Sequence, residues 1–381
     1  MSKKKSGWDW RRVWPYSVPV IVAIAVRVVG AVWLFQLLTT QGKIHTSWSD
    51  IYPNLIPDYA NWLWLFNGWD SFNFGRIAEF GYQHPNYSYL PAYPSISYLL
   101  GVPFGTVWMG SFIAAQIFAL ASVVMFQLVS ELYMEPKAAY HCTLLMATFP
   151  FISVFTTLGY SEGLFLFSTL SAWYFYKKQQ LIASSLFAGV ASVTRIAGIL
   201  ILLPVSIDLL KTRAWRSFLQ YLIIPIGLLG SWAYYCLVTT RDSFASISDE
   251  GAWMVWATGG PGIKYGLIPS IVIPGLRGMV ICCAGGNSFD SAVIVAVALF
   301  AALIIRVWKV DRLLWSYAIA LFGLMLVTAP IISLLRYLSF IFPIWLTIKS
   351  TNRWTSAACV AVFVPFTLLL WYYALLRNFI G

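Results

Sequence analysis

Charged residues are scarce in this chain. Asp, Glu, Lys and Arg make up 10% of its 381 residues, whereas hydrophobic residues make up 60%. A water-soluble protein of this length could not bury so much apolar surface, so most of the chain is expected to lie within a lipid bilayer. Spanning segments must satisfy their own backbone hydrogen bonds, which favours helices, and the alternating pattern of a membrane barrel is absent from the sequence.

Cysteine and the common catalytic motifs are also sparse. The five cysteines form no C-x-x-C pair, so the sequence predicts neither a zinc site nor a disulfide framework. It contains no H-E-x-x-H, Walker loop, G-x-S-x-G or dinucleotide-binding glycine motif. The first long polar segment has no D-x-D pair. A metal-dependent nucleotide-sugar site is therefore not indicated, and we expect no metal and no cofactor.

The formal net charge of +11 does not indicate a nucleic-acid partner, because the basic residues stand in short runs between apolar segments. That pattern is typical of the cytoplasmic loops of multi-pass membrane proteins. The basic N-terminus precedes a long apolar run without a clear small-residue cleavage site. We interpret this run as a retained span with a cytoplasmic N-terminus. Most acidic residues then fall on the opposite face of the membrane.

The apolar segments predict an all-α polytopic membrane protein with about eleven spans. They cover residues 17–40, 108–130, 138–156, 164–176, 219–238, 291–307, 314–331, 337–348 and 357–376, with two more in residues 181–210. The 181–210 segment is too long for one span, so we divide it and place Arg195 at the outer turn. The whole chain, residues 1–381, is interpreted as one membrane domain with outer loops at residues 41–103 and 241–290.

The first outer loop carries the candidate catalytic residue. Residues 59–66, rich in Trp and Leu, suit a helix lying in the membrane interface. Asp70 is predicted to begin a second helix, with Asn73 on the same face and Gly81 at its end. A carboxylate among aromatic residues just outside the bilayer suits general-base catalysis on a lipid head group. The alternative is that Asp70 only caps the helix.

Two arginines on the outer side are candidate ligands of a phosphate. Arg195 lies among apolar residues, where an arginine is costly, and its planar guanidinium matches a pair of phosphate oxygens. Arg336 is similarly placed. The alternatives are an ion pair of Arg195 with a carboxylate such as Glu162, and snorkelling of Arg336 to the interface. Glu162, in a short turn between spans, either points at a partner or caps the following helix. His84 is either a pocket residue or a solvated loop histidine.

Four segments around these residues occur in a fixed order. They are W-D-S-F-N-F-G-R-I-A-E-F-G-Y from Trp69, Y-L-P-A-Y-P from Tyr89, L-G-Y-S-E-G-L-F from Leu158 and S-V-T-R-I-A-G from Ser192. Together they resemble the family of GPI mannosyltransferase II, the PIG-V type, which belongs to the GT-C superfamily of polytopic glycosyltransferases. The resemblance implies a polyprenyl-phosphate sugar donor, usually dolichyl phosphate mannose, and inversion at the anomeric carbon. It also implies an acidic catalytic residue in the first loop, which falls on Asp70.

We therefore predict a membrane mannosyltransferase that moves mannose from a polyprenyl-phosphate donor to a lipid-linked or glycan acceptor on the non-cytoplasmic face. Asp70 is the expected base, and Arg195 and Arg336 are expected to bind the donor phosphate. The sugar or acceptor pocket is expected to contain seven residues: Trp69, Glu79, Tyr82, His84, Tyr93, Tyr160 and Glu162. The membrane would be the cell membrane of a prokaryote or the endoplasmic reticulum membrane of a eukaryote.

Two other classes of protein are alternatives. A transporter or flippase for a lipid-linked sugar would also have many spans and buried arginines, although the sequence shows no inverted repeat and no paired acidic residues deep in the spans. A non-enzymatic membrane scaffold is the third possibility. A sugar-transfer assay distinguishes the enzyme from both.

Overall fold

The computed structural model describes residues 10–40, 56, 58–245, 248–249, 288–328, 331–349 and 351–375. Across these ranges the chain forms α-helices joined by turns and short 3-10 helices, and no β-strand occurs within them. The expected all-α architecture is confirmed for this part of the chain. Most of the predicted second outer loop, residues 241–290, lies outside the described residues.

The described residues form fourteen α-helices. In chain order they are α1 (Trp10–Thr40), α2 (Asp70–Phe80), α3 (Ala92–Gly101), α4 (Val107–Ser130), α5 (Pro136–Thr148), α6 (Pro150–Thr157), α7 (Glu162–Lys177), α8 (Leu181–Thr194), α9 (Leu202–Lys211), α10 (Trp215–Thr240), α11 (Ser288–Val307), α12 (Arg312–Thr328), α13 (Ile331–Ser339) and α14 (Arg353–Leu375).

Several of these helices are suited to a bilayer. Four are long and apolar enough to cross it, namely Tyr16–Thr40 within α1 and the whole of α4, α10 and α14, and α5 with α6 forms a fifth candidate. Leu181–Thr194, Val295–Val307 and Arg312–Leu326 are apolar but shorter. The chain is therefore a membrane protein. The total of about eleven spans and the cytoplasmic N-terminus stay predictions.

A sharp bend interrupts the segment that we expected to form one span at residues 138–156. The axes of α5 and α6 differ by 62°. Pro150 follows the bend directly, and a proline disfavours the helical conformation of the residue before it. Accordingly, Phe149 has a ψ angle of 130°. The predicted single span is a broken pair of helices, whose second member ends at Thr157, shortly before Glu162.

The predicted break at Arg195 is confirmed. α8 ends at Thr194, Arg195 is extended with φ −148° and ψ 141°, and a 3-10 helix (Ile196–Ile201) leads into α9. This 3-10 helix folds tightly against the end of α8, because a Cβ added to Gly198 would lie 2.0 Å from the carbonyl oxygen of Ala191. The break fixes the arginine at a turn.

The predicted span at residues 337–348 is wrong. Its first residues belong to α13, which has 9 residues, and a 3-10 helix, Phe342–Thr347, follows. A helix of that length rises only about 14 Å, whereas a bilayer core is about 30 Å thick. Phe342 and Leu346 are fully buried in the main hydrophobic core. The apolar character of this segment therefore reflects burial inside the protein.

The described part of the predicted first outer loop, residue 56 and residues 58–103, is folded and packs along α4. It contains a 3-10 helix (Asp58–Phe66) in place of the predicted interface helix, then α2, a second 3-10 helix (Asn86–Ser88) and α3. α2 begins at Asp70 and ends at Gly81, which has a φ angle of 77°. Both boundaries agree with the sequence, since a glycine readily adopts this conformation after a helix.

Two glycines mark where α3 and the start of α7 contact α4. A Cβ added to Gly110, near the beginning of α4, would be 1.9 Å from the carbonyl oxygen of Ser97, so α3 contacts this end of α4 backbone to backbone. A Cβ added to Gly163 would be 3.2 Å from the backbone nitrogen of Ala119. Ala119 stands midway along α4. The turn before α7 therefore packs along the first half of α4, since a Cβ added to Gly159 in the same turn would lie 2.5 Å from Oγ of Ser111, near the start of that helix.

Candidate active site

A tight turn before α2 sets the position of Asp70. The Oγ atom of Ser71 accepts a hydrogen bond from the Gly68 N–H over 2.6 Å, and the Phe72 N–H donates to the Trp69 carbonyl oxygen over 3.1 Å. Trp69 has a φ angle of 50°, which is unfavourable for a bulky side chain and is held by these bonds. Trp69, not Asp70, occupies the N-cap position, and no side chain caps the helix. The capping interpretation of Asp70 is therefore wrong.

Both carboxylate oxygens of Asp70 have partners from elsewhere in the fold. Oδ2 accepts a hydrogen bond from Nη2 of Arg336 over 2.8 Å, and Oδ1 accepts one from the Tyr89 hydroxyl over 3.1 Å. The amide of Asn73, one turn further along α2, donates to the Tyr89 oxygen over 2.9 Å. Tyr89 was not predicted as a site residue. The only signal in the sequence was its place at the start of the Y-L-P-A-Y-P segment.

Arg336 lies in the middle of the site. Its Nε donates to Oε1 of Glu162 over 2.6 Å, and its Nη2 contacts the same oxygen. The guanidinium carbon lies 4.6 Å from the ring centre of Tyr160 and 4.8 Å from that of Phe155. Its side chain is only 3% exposed, so the snorkelling interpretation of Arg336 is wrong. Aromatic faces and two carboxylates take the place of water around the charge.

Glu162 joins the two predicted arginines. Nη1 of Arg195 donates to Oε1 of Glu162 over 2.9 Å and to the Ser161 hydroxyl over 3.3 Å. The expected alternative, an ion pair of Arg195 with Glu162, is thus confirmed. The second oxygen, Oε2 of Glu162, is buried and has no hydrogen-bond partner within the described residues. The guanidinium of Arg195 also lies 4.9 Å from the ring centre of Tyr337, a residue that sequence reasoning did not assign to the site.

The four charged residues form a chain of alternating sign in the order Asp70, Arg336, Glu162, Arg195. The two members at the ends have side chains that are 29% and 22% exposed, whereas the two in the middle are 3% and 2% exposed. We call this chain the charge relay. It is neutral as a whole, with an accessible carboxylate at one end and an accessible arginine at the other.

A cleft opens beside the arginine end of the charge relay. It is narrow, with a volume of about 10 Å³, and is lined by Glu162, Phe165, Arg195, Ala197, Leu321, Met325, Tyr337 and Phe340. Most of these side chains are apolar, and the charged groups stand together on one wall. The lining thus sets one guanidinium and one carboxylate beside apolar side chains.

The other predicted pocket residues fall into two groups. Tyr160 is buried and stacks on Phe155 beneath Arg336, so it belongs to the site. Trp69 is half-buried beside Asp70 and packs against the main core. Tyr93 is fully buried, but its hydroxyl donates to the Ser111 carbonyl oxygen over 2.9 Å, which makes it a core residue.

Three predicted pocket residues lie away from the charge relay. Glu79 stands near the far end of α2 and is exposed, although desolvation by nearby atoms raises the pKa of its carboxyl. Tyr82 packs against Trp232, and its hydroxyl donates to the Tyr89 carbonyl oxygen over 2.8 Å. His84 is 61% exposed and pairs through Nδ1 with Asp249 over 2.9 Å. It is a loop histidine, as the alternative held, with a carboxylate partner.

Metal-ligating side chains do not cluster within the described residues. No three His, Cys, Asp or Glu side chains come together there in a way that could hold a metal ion. Among the described residues, the positive charge next to the cleft comes from the guanidinium groups of Arg195 and Arg336.

Comparison with known proteins gave one type of match. No family model matches the sequence, and no curated protein matches it. The fold is similar to the crystal structure of the Archaeoglobus fulgidus oligosaccharyltransferase tethered with an acceptor peptide, with a TM-score of 0.46 and 12% identity. The match covers 94% of this chain and 55% of that one. This chain thus spans little more than half the length of that protein.

Proposed function

We propose that the chain is a membrane glycosyltransferase of the GT-C type. It moves mannose from a polyprenyl-phosphate donor, such as dolichyl phosphate mannose, to a lipid-linked or glycan acceptor, with inversion, on the non-cytoplasmic face. One observation carries the proposal: an accessible carboxylate, Asp70, is joined through a buried ion pair to an arginine that lines an apolar cleft. These are the parts needed to hold a lipid phosphate and to deprotonate a hydroxyl.

The cleft would hold the donor. Leu321, Met325 and Phe340 line it with apolar side chains, which match the polyprenyl chain. Both hydrogen bonds that Arg195 makes to described residues use Nη1, so Nε and Nη2 are available to a pair of phosphate oxygens. As the sugar leaves, the phosphate gains negative charge, and the arginine stabilises it in surroundings that hold little water. Arg336, buried on the other side of Glu162, supplies a second positive charge.

Asp70 would act on the acceptor. Its carboxylate takes the proton of an acceptor hydroxyl while that oxygen forms a bond to the anomeric carbon. The bond from the anomeric carbon to the phosphate oxygen breaks on the opposite face, and polyprenyl phosphate leaves with the electron pair. Positive charge develops on the sugar ring during this displacement, as in glycoside hydrolysis. The nearby carboxylate of Glu162 favours that charge.

A transport function is the second candidate, and one observation favours it. Arg27, in the middle of α1, is buried and donates to Thr156 over 2.8 Å, and it makes no ion pair with any described residue. An intramembrane arginine of this kind often marks a pathway for an anionic substrate. A flippase would use the same amphipathic cleft but would leave the sugar–phosphate bond intact.

Purified protein in lipid nanodiscs distinguishes the two functions. It is incubated with radiolabelled polyprenyl-phosphate mannose and a glycolipid extract as the source of acceptors. We expect free polyprenyl phosphate and a labelled product of higher mass, detected by thin-layer chromatography and mass spectrometry. Protein-dependent movement of intact donor across a vesicle bilayer, without release of polyprenyl phosphate, would replace the enzymatic proposal with the transport one.

A further inference from the structure

We propose that Arg336 is a positioning residue that couples the two ends of the charge relay, so that an anion bound at Arg195 makes Asp70 a stronger base. The inference rests on the proposed function, from which it takes the roles of the two ends. It adds that the donor itself activates the catalytic carboxylate, and that Arg336 does so without touching the substrate.

Shared atoms make the bonds of the charge relay competitive. Oε1 of Glu162 accepts from Nη1 of Arg195 and from Arg336, and Nη2 of Arg336 contacts both Glu162 and Oδ2 of Asp70. Two cationic donors on one oxygen repel each other, so the donor that remains is held more strongly when the other is drawn away. An anion that draws Arg195 away therefore strengthens the bond of Glu162 to Arg336, which in turn loosens its hold on Asp70.

Burial prevents water from replacing the hydrogen bonds that Arg336 and Glu162 lose or exchange. The side chains of Arg336 and Glu162 are 3% and 2% exposed, so water cannot replace a partner that either of them loses. The change in hydrogen bonding at Arg195 must therefore be transmitted through Glu162 and Arg336 to Asp70. Arg336 is also held on its faces by Tyr160 and Tyr337, whose ring centres lie 4.6 Å and 5.1 Å from the guanidinium carbon. It can exchange hydrogen bonds there but has no route to solvent.

Charge balance leads to the same result. Two arginines and two carboxylates cancel, so a bound phosphodiester with one negative charge leaves the site with an excess of one. The ionisable groups around Asp70 are Arg336, Arg195, Glu162, Tyr89, Tyr160 and Tyr337. The tyrosines are neutral near pH 7 and cannot take up a proton. Glu162 is buried between both arginines, whereas Asp70 is the carboxylate that solvent reaches. Asp70 is therefore the group that attracts a proton more strongly once the anion binds, as a base acting on an acceptor hydroxyl must.

The coupling is tested by binding, without sugar transfer. The probe is citronellyl methyl phosphate, a short prenyl phosphodiester whose single negative charge does not titrate near neutral pH. Isothermal titration calorimetry in detergent measures its affinity for the wild type and for Asp70→Asn between about pH 5 and pH 8. We expect Asp70→Asn to bind at least about fivefold more tightly at neutral pH, a typical coupling between sites. The wild-type affinity should rise toward low pH, and that of Asp70→Asn should not.

Three controls sharpen the test. Glu135→Gln removes an exposed carboxylate at the turn before α5 and should bind like the wild type. Arg336→Lys keeps the charge but cannot bridge two carboxylates, so the gain from Asp70→Asn should shrink in that background. Calorimetry of the wild type alone, in two buffers with different ionisation enthalpies, should show proton uptake on binding at the acidic end of this pH range. This last measurement requires no variant to fold.

Three results would overturn the proposal: equal affinity of Asp70→Asn and wild type, an undiminished gain in the Arg336→Lys background, or binding without proton uptake. An undiminished gain in affinity from Asp70→Asn in the Arg336→Lys background would mean that Asp70 acts on the bound anion directly through space, without Arg336. Sugar transfer is scored separately. Tighter binding by Asp70→Asn with no transfer by the wild type would keep the coupling and remove the glycosyltransferase proposal. Sugar transfer that depends on Asp70, with equal probe affinity for the wild type and Asp70→Asn, would keep the glycosyltransferase proposal and remove the coupling.

Discussion

Arg336 and Glu162 bury opposite charges against each other, with Nε of the arginine 2.6 Å from Oε1 of the glutamate. They are 174 positions apart in the sequence and hold α13 against the start of α7. Burying both groups is costly, and their attraction offsets that cost only while both are present. The pair therefore fixes the position of each charge beside it, Asp70 on one side and Arg195 on the other.

Glu162→Gln should lower stability markedly. The substitution leaves Arg195 without its carboxylate and Arg336 with Asp70 alone, and breaking a buried ion pair from one side costs about 3–5 kcal/mol. The midpoint of thermal unfolding in detergent, followed by intrinsic fluorescence, measures this. Glu135→Gln, at an exposed position, is the matched control and should unfold like the wild type. Equal midpoints for the two variants would show that the Arg336–Glu162 pair contributes little to stability.

Asp70→Asn should abolish sugar transfer while the protein stays folded. The amide retains the size of the side chain and can still accept from Tyr89, but it cannot take a proton from an acceptor. General-base catalysis contributes roughly 10²–10⁴-fold to a rate, so release of free polyprenyl phosphate should fall by that factor. The unfolding midpoint should change far less than in Glu162→Gln, because Asp70 is 29% exposed. Transfer at the wild-type rate would exclude Asp70 as the base.

Tyr89→Phe should lower the rate of transfer. The tyrosine hydroxyl donates to Oδ1 of Asp70 over 3.1 Å and accepts from the Asn73 amide over 2.9 Å, so it holds the carboxylate in place. Without it the base is less well positioned, and a misplaced catalytic group costs up to about 10²-fold in rate. Tyr98→Phe, on the exposed side of α3, is the control and should leave the rate unchanged. Equal rates for Tyr89→Phe and the wild type would show that the hydroxyl does not position Asp70.

Asp311→Asn tests a second charged contact, far from the charge relay in the sequence. Asp311, in the turn between α11 and α12, accepts from Lys177 over 2.9 Å and from Tyr133 over 3.0 Å. Burial by itself would raise its pKa, but these bonds and the Leu314 N–H outweigh burial and lower it. A depressed folded-state pKa stabilises the protein above the unfolded value, near 3.9, and the stabilisation is lost as pH falls through the folded value.

The unfolding midpoint of the wild type should therefore fall as the pH is lowered from about 6 to about 3, and that of Asp311→Asn should fall less. The difference between the two proteins should be largest near neutral pH. Glu135→Gln again serves as the control. Parallel curves for wild type and Asp311→Asn would mean that the carboxylate of Asp311 does not link stability to pH.

Much of the local structure could be predicted from short stretches of sequence. The break at Arg195, the start of α2 at Asp70 and its end at Gly81 follow from residues within a few positions. Backbone preferences, which are local, decide such boundaries. Hydropathy likewise identified a membrane protein, because a bilayer imposes the same requirement on every spanning segment. It misjudged residues 337–348, since hydropathy does not distinguish burial in protein from burial in lipid.

The candidate site depended on more distant contacts. Its four charged residues were all singled out in the sequence, and the pairing of Arg195 with Glu162 was one of the alternatives. The bond between Asp70 and Arg336, however, joins residues 266 positions apart, and nothing local to either residue predicts it. Tyr89 was missed for the same reason, and the roles of Glu79 and His84 in a sugar or acceptor pocket stay predictions.

The sequence by itself determined that this protein is helical and lies in a membrane, and it determined which polar residues stand where a polar residue is costly. Composition and short-range pattern suffice for that, because the bilayer and the peptide backbone act on each segment separately. Only the tertiary structure decided which of those residues meet. Helices that are equally apolar can pack in many ways, and the partner of a buried charge is set by the packing that brings two distant segments within hydrogen-bonding distance.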